Sequence, residues 1–415
     1  MTTWYLAPIL MAVCTAPAFG QLKDSPPPPA GFPKFKVQEI ASDLKIGYAV
    51  LAVDVNGDGK PDIVVVDKER VIWYENPTWK MRTIITGKVK PDNVCIAPLD
   101  IDGDGKVDFV LGAGWRPSDT KTPGTLQWLS QGKTLDEEWT VHPIPCDEPT
   151  VHRVKVADIF GDGKPAIVLA PLQGRYSSGK GNWVDGRPVR ILAYRVPKEP
   201  TKEENWKPEV LNETLHVVHN FALTPCKLGY VLTTASYEGV TQFVPQADRS
   251  WVKTKVGNGN QANTKSNRGS SEIGIGVKEN AYKFMATIEP WHGNQIVIYS
   301  PDGGKETLSR HVLDEHLRWG HAIWFADLDG DKSDELVIGV RDNPKSTDPF
   351  TEKRGVRIYK NTDGKGIKWD RYILEDGGVA VEDLTVADLN NDGKPDIIAV
   401  GRQTGNCRIY WNQGK

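Results

Sequence analysis

Carboxylates and imidazoles carry the chemistry this chain offers. Five stretches read DVNGDGKPDIVVV from Asp54, DIDGDGKVDFVLG from Asp100, DIFGDGKPAIVLA from Asp158, DLDGDKSDELVIG from Asp327 and DLNNDGKPDIIAV from Asp388. The underlying pattern, D-x-[DN]-x-D-G-x-x-[DE], gathers oxygen ligands on one tight turn, with glycine where the chain must curl. Hard cations such as calcium take oxygen-only ligand sets of this kind. The expected sets are Asp54, Asn56, Asp58 and Asp62; Asp100, Asp102, Asp104 and Asp108; Asp327, Asp329, Asp331 and Glu335; and Asp388, Asn390, Asp392 and Asp396. The copy from Asp158 has Phe160 and Ala166 at two ligand positions, so weak binding or none is expected there. Acidic turns that hold no metal are the alternative.

The same repeats form an internal alignment. Two degenerate copies, HNFALTPCKLGYVLTTASYEGVTQFV from His219 and EIGIGVKENAYKFMATIEPWHGNQIVIY from Glu272, fill the gap between the third and fourth acidic loops. Six residues before each loop position stand Tyr48, Val94, His152, His219, Glu272, His321 and Glu382. Three of the eight histidines therefore share one structural position. His152, His219 and His321 around one cation, with a position left open, describe a catalytic site for zinc or another divalent transition metal. His292, in EPWHGNQ, is a candidate fourth ligand or base. Hydrogen-bonded histidines holding ordered water are the plainer alternative.

The elements that must position these groups follow from the period. The third and fourth acidic loops are 169 residues apart and the first and last 334 apart, both multiples of about 56. Repeats of that length, made of short hydrophobic runs between turn residues, are the signature of a propeller. The expected fold is all-β: a seven-bladed β-propeller of four-stranded antiparallel blades. The last unit stops after its third strand, CRIYWN, and FKVQEI (Phe35 to Ile40) has the character of the missing fourth. Closing the ring with this N-terminal strand would remove the exposed edges. The strand before each acidic loop should be innermost, which places the seven shared positions at the channel mouth opposite those loops. Long inter-strand loops open on the same face. They supply Trp115, Arg116, Arg175, Tyr176, Tyr237, Glu238, Glu289, Arg341, Asp342 and Arg402, with His316 on the same rim.

Composition narrows the partners. Fifty-one basic residues against 54 acidic ones give a net charge of −3 without a basic block, which argues against nucleic acid. Residues 1–20 are apolar and end in Ala18-Phe19-Gly20, the pattern of a secretory signal peptide cut before Gln21, although no Lys or Arg precedes the apolar run. Residues 21–34 read as a Pro-rich linker and 35–415 as the propeller. No later stretch is apolar for long enough to span a bilayer, so a secreted or periplasmic protein is expected. Cys95 and Cys146 are the pair to test first for a disulfide.

Over residues 45–415 the repeats resemble the FG-GAP or VCBS repeats of integrin-type and bacterial secreted propellers. The segments HRVKVADIFGDGKP, LHVVHNF, EPWHGNQIVIY and WGHAIWFADLDGD together resemble the propeller domain of aldos-2-ulose dehydratases. That likeness implies water elimination from keto sugars with a bound metal. The cupin domains those enzymes carry after the propeller have no counterpart here, and an isomerase step located there is not carried over. On this reading the three histidines hold the ion and Glu382, Glu272, His292 or Tyr176 removes the proton. Arg175 and Arg341 bind substrate or stabilise enolate charge. A non-catalytic, calcium-stabilised propeller that binds glycans or protein partners is the competing expectation.

Overall fold

A computed structural model describes residues 22–278, 281–301, 308–317, 319–341 and 354–415. The expected leader and Asp342 lie outside them. Seven antiparallel sheets follow one another round the chain, six in simple strand order and the seventh joining N-terminal strands to the last three. Their first strands are Ala49–Val53, Cys95–Leu99, Val151–Ala157, Asn220–Cys226, Ile273–Lys278, Gly320–Ala326 and Val381–Ala387, taken here as the inner strands of blades 1 to 7. Each inner strand packs beside those of the neighbouring blades, so together they close a ring. One 3-10 turn, Glu203–Asn205, is the only helical element among the described residues, and no described helix is long and apolar enough to cross a membrane.

The burial gradient within a blade explains its sequence. Second strands such as DIVVV, DFVLGA, AIVLAP, ELVIGV and DIIAVG are buried at every position. They are covered on both faces by adjacent blades, which is why they read as unbroken apolar runs rather than alternating ones. Fourth strands such as Lys80–Thr86 and Trp369–Ile373 keep exposed polar positions because they form the outer rim. Large aromatics fill the spaces between blades: Trp139 is 1% exposed and stacks on Phe109 at 5.3 Å between ring centroids.

Blades are also fastened to their neighbours by hydrogen bonds. Asn76, Gln131 and Asn412 occupy one position, just after or at the end of the third strand. Their side-chain amides donate to the carbonyls of Leu389, Val55 and Leu328, each the second residue of the preceding blade's acidic loop. The ring closes as the sequence implies. Phe35–Ala41 pairs antiparallel with Cys407–Asn412, Phe35 opposite Asn412 and Ala41 opposite Cys407, and completes blade 7. Within the stretch expected to be a linker, Lys23–Asp24 adds a short fifth strand and Phe32 packs on Tyr372. All four described cysteines are free, so the Cys95–Cys146 pairing is not made. Cys95 is buried, and burial pushes its thiol up to about 12.

Candidate metal centre

The inner strands line a cavity of about 600 Å³, whose walls include Tyr48, Arg153, Lys155, Glu272 and Asp383. At one end of the inner strands all seven shared positions are buried, and of them Tyr48, Val94 and Glu272 reach the wall of this cavity. Strand register sets this: one residue per blade, either just before its inner strand or second within it, reaches the ring.

Three imidazoles converge there, though not the three expected from spacing. Donor nitrogens of His219, His292 and His321 all lie within 4.8 Å of one another. His219 and His321 come from the ring. His292 comes from the turn between the second and third strands of blade 5, Ala281–Glu289 and Gln295–Ser300. That turn folds it over the Glu272 position, between the two ring histidines. It does so with φ 50 at His292, an uncommon conformation for a residue with a side chain. Gly293 follows because a Cβ there would lie 2.2 Å from the Glu289 carbonyl oxygen. His152 sits beside the cluster, its ring centroid 4.6 Å from that of His219. Its Nδ1 bonds the His219 carbonyl oxygen at 2.9 Å and its Nε2 accepts from Arg153 at 3.2 Å, so both nitrogens have partners.

The surroundings suit a cation bound through neutral imidazole. Burial, the leading cause for all four rings, lowers the pKa of His152 and His292 well below the usual histidine value, lowers that of His219, and brings that of His321 to about 3. His321 turns Nδ1 to the Glu382 carbonyl at 2.5 Å, which leaves Nε2 with its lone pair facing the cluster. A metal-binding histidine is held by its second nitrogen in this way. The Nδ1 of His219 lies 2.8 Å from Glu272 but outside hydrogen-bond geometry and is otherwise unpartnered, while its Nε2 meets the Nε2 of His292 at 2.7 Å. Such close nitrogens must share one proton between them or one cation. The donor set therefore fits a transition metal.

The two glutamates serve as supports. Glu272 pairs with Arg153 at 3.1 Å and accepts from Asn220; Glu382 pairs with Arg341 at 2.5 Å and Arg402 at 2.7 Å. These cations outweigh burial and hold both carboxyls far below the ordinary range. Both carboxylates, expected as candidate bases, are thus engaged by arginines beside the imidazoles. Trp115, Trp291 and Trp319 fence the imidazoles: Trp291 stacks on His292 at 4.6 Å, Trp319 meets it edge-on at 5.0 Å, and Trp115 lies 4.9 Å from His152. Arg341 lies over Trp319 at 4.3 Å and keeps a buried Nε with no partner.

Other rim candidates fall elsewhere. Arg175 and Tyr176 line a different cavity with Asp147, Glu148, Arg187 and Arg190, and none of the four clustered histidines is in its wall. Tyr176 is 56% exposed, and Arg175 donates to the Asp147 carbonyl. Glu289 is fully buried against Arg310 and Tyr299, and Glu238 binds His216 at 2.9 Å. His316 lines an outer cavity with Asp314 and Trp369. Arg153, Trp291 and Trp319 were missed from sequence, although each is one or two residues from a clustered histidine.

At the opposite end the acidic loops are Asx turns. Asp54 accepts from the backbone N–H groups of Gly57, Asp58 and Gly59, and the other loops repeat the arrangement. Their last carboxylates are buried and pushed up by burial, to about 6 at Asp62 and Asp108 and about 7 at Glu335 and Asp396. Asp100, Asp102 and Asp108 converge within 4.8 Å, as do Asp327, Asp329 and Glu335. In blades 1 and 7 an amide, Asn56 or Asn390, takes the third position.

Comparison with known proteins agrees with the fold and names a family for the middle of the chain. No curated protein matches. Solved structures with the same fold include BBS1N in complex with ARL6DN, soaked with lead (13% identity, 91% of this chain and 95% of that one, TM-score 0.52). The mercury-soaked BBS1N complex is 12% identical over the same shares at a TM-score of 0.51, and Saccharomyces cerevisiae Sqt1 is 11% identical over 85% of this chain and 81% of its own at 0.50. Residues 54–111 and 346–399 match the FG-GAP-like repeat, and residues 123–302, which carry His152, His219, Glu272 and His292, match the beta-propeller domain of aldos-2-ulose dehydratase.

Proposed function

We propose that this protein is an exported, metal-dependent carbon–oxygen lyase that removes water from keto sugars by β-elimination at the histidine cluster. The convergence of His219, His292 and His321 carries the reading, because a surface built only for binding does not require three neutral imidazoles within 4.8 Å. A divalent transition ion held there would supply Lewis acidity toward a ketone oxygen. The chain's own groups divide the remaining work. His152, outside the converging trio, takes the proton from the carbon next to the ketone once its Nε2 is released by Arg153. The hydroxyl on the following carbon departs as hydroxide, so proton and hydroxide together make the water lost. The free Nε of Arg341 donates to the oxygen on which charge develops. Trp115, Trp291 and Trp319 offer flat apolar faces for a sugar ring and exclude water. Calcium, where an acidic loop holds it, would be scaffold. Export rests on the sequence of residues 1–20 alone.

The test is direct. Zinc-loaded protein is incubated with a 2-keto aldose and the conjugated enone is followed by ultraviolet absorbance. Appearance of enone, lost on His219→Ala, supports the lyase; binding without turnover for any keto sugar at any divalent loading sinks it. The competing reading is a calcium-stabilised propeller that binds glycans or proteins. In its favour is that BBS1N, a fold neighbour, is seen in complex with a protein partner, ARL6DN. It predicts no transition metal, and ligand binding that survives loss of the histidines.

A further inference from the structure

The residue facing the last ligand of each acidic loop is fixed by register. On the third strand it is Glu75 in blade 1, Ser130 in blade 2, Arg195 in blade 3, Lys360 in blade 6 and Trp411 in blade 7. Two of the five are cations, and both turn into their loop. In blade 3, where Phe160 and Ala166 have replaced two ligands, the guanidinium of Arg195 lies over the Phe160 ring at 3.8 Å and pairs with Asp162. In blade 6 every ligand is retained, yet the ammonium of Lys360 pairs with Asp329, with Asp331 at 2.7 Å and with Glu335 at 3.1 Å. Lys415 reaches Asp329 as well, at 2.9 Å.

We infer that the blade 6 loop takes no calcium, because the chain's own Lys360 occupies the place a divalent cation would fill. An ammonium held by three carboxylates must be expelled before a metal can reach them, and Lys360 and Lys415 together already bring to the loop the charge of one divalent ion. The blade 2 loop, with the same converging carboxylates, faces only the uncharged Ser130, and its nearest cation is Lys106 at 3.5 Å from Asp104. The four loops that look alike in sequence are thus of two kinds. The consequence falls on ring closure. The blade 6 loop receives Asn412 and Lys415 from the last strand and the chain end, so the seam between blades 6 and 7 is fastened without a dissociable metal.

Calcium stoichiometry, measured by titration calorimetry on metal-stripped protein with calcium chloride, tests the inference. Lys360→Met is expected to bind one more calcium than the wild type, and Lys360→Arg the same number. In the wild-type background Asp329→Asn leaves the stoichiometry unchanged, whereas Asp102→Asn lowers calcium binding at blade 2. Equal stoichiometry for wild type and Lys360→Met, or calcium lost from the wild type on Asp329→Asn, overturns the inference. The Asp329→Asn arm decides should Lys360→Met fail to fold.

Discussion

The two ends of the inner strands teach different things. At the acidic end nearly the same nine residues recur in five blades, and every loop accepts its own backbone N–H groups, while those of blades 1, 6 and 7 also receive the next blade's side-chain amide. At the other end the shared position holds Tyr, Val, His, His, Glu, His and Glu. Repetition marks scaffold, because every blade must meet its neighbour in the same way. Departure from repetition at a fixed register marks the place where blades do different things.

Mutations that separate the two ends sharpen this contrast. The largest effect belongs to the histidine end: His321→Ala should lower enone formation by at least ~1,000-fold, since loss of a metal ligand removes the Lewis acid altogether. Calcium binding and the thermal midpoint in calcium should hardly move. Next comes the scaffold. Trp139→Ala, between blades, should cost about 3–5 kcal/mol in denaturant unfolding and leave transition-metal affinity unchanged. An equal loss of metal affinity would show that the two ends are not independent. Glu272→Gln keeps the shape beside His219 but removes the charge that holds it, and should weaken metal affinity ~10–100-fold by competition with a chelator. The smallest effect concerns the blade edges: of Cys95, Cys146, Cys226 and Cys407, native protein should expose only Cys226 to a maleimide.

How far the sequence could be read depends on periodicity. Blade count, the innermost strand and closure by Phe35–Ala41 all follow from a repeat, and so does the ring position. His219 and Glu272 were placed correctly even though their blades have lost the acidic loop, because strand register survives without the metal ligands. His292 is different. It reaches the cluster from a turn whose path no period specifies, so it could be suspected but not ranked above His152. The arginine partners of Glu272 and Glu382 were equally hidden: a carboxylate at a channel mouth looks like a base until the cations holding it are seen. Lys360 was legible in principle, since it stands opposite Glu335 in the strand pairing. A linear loop pattern does not contain that facing strand.

The proposed metal set is His219, His292 and His321, with His152 outside it. Transition-metal content of purified protein, measured by elemental mass spectrometry for the wild type, His292→Ala and His152→Ala, tests it most directly. About one zinc-like ion per chain is expected in the wild type and in His152→Ala, and near none in His292→Ala. Retention by His292→Ala with loss from His152→Ala would contradict it and restore the ligand set that spacing alone suggests.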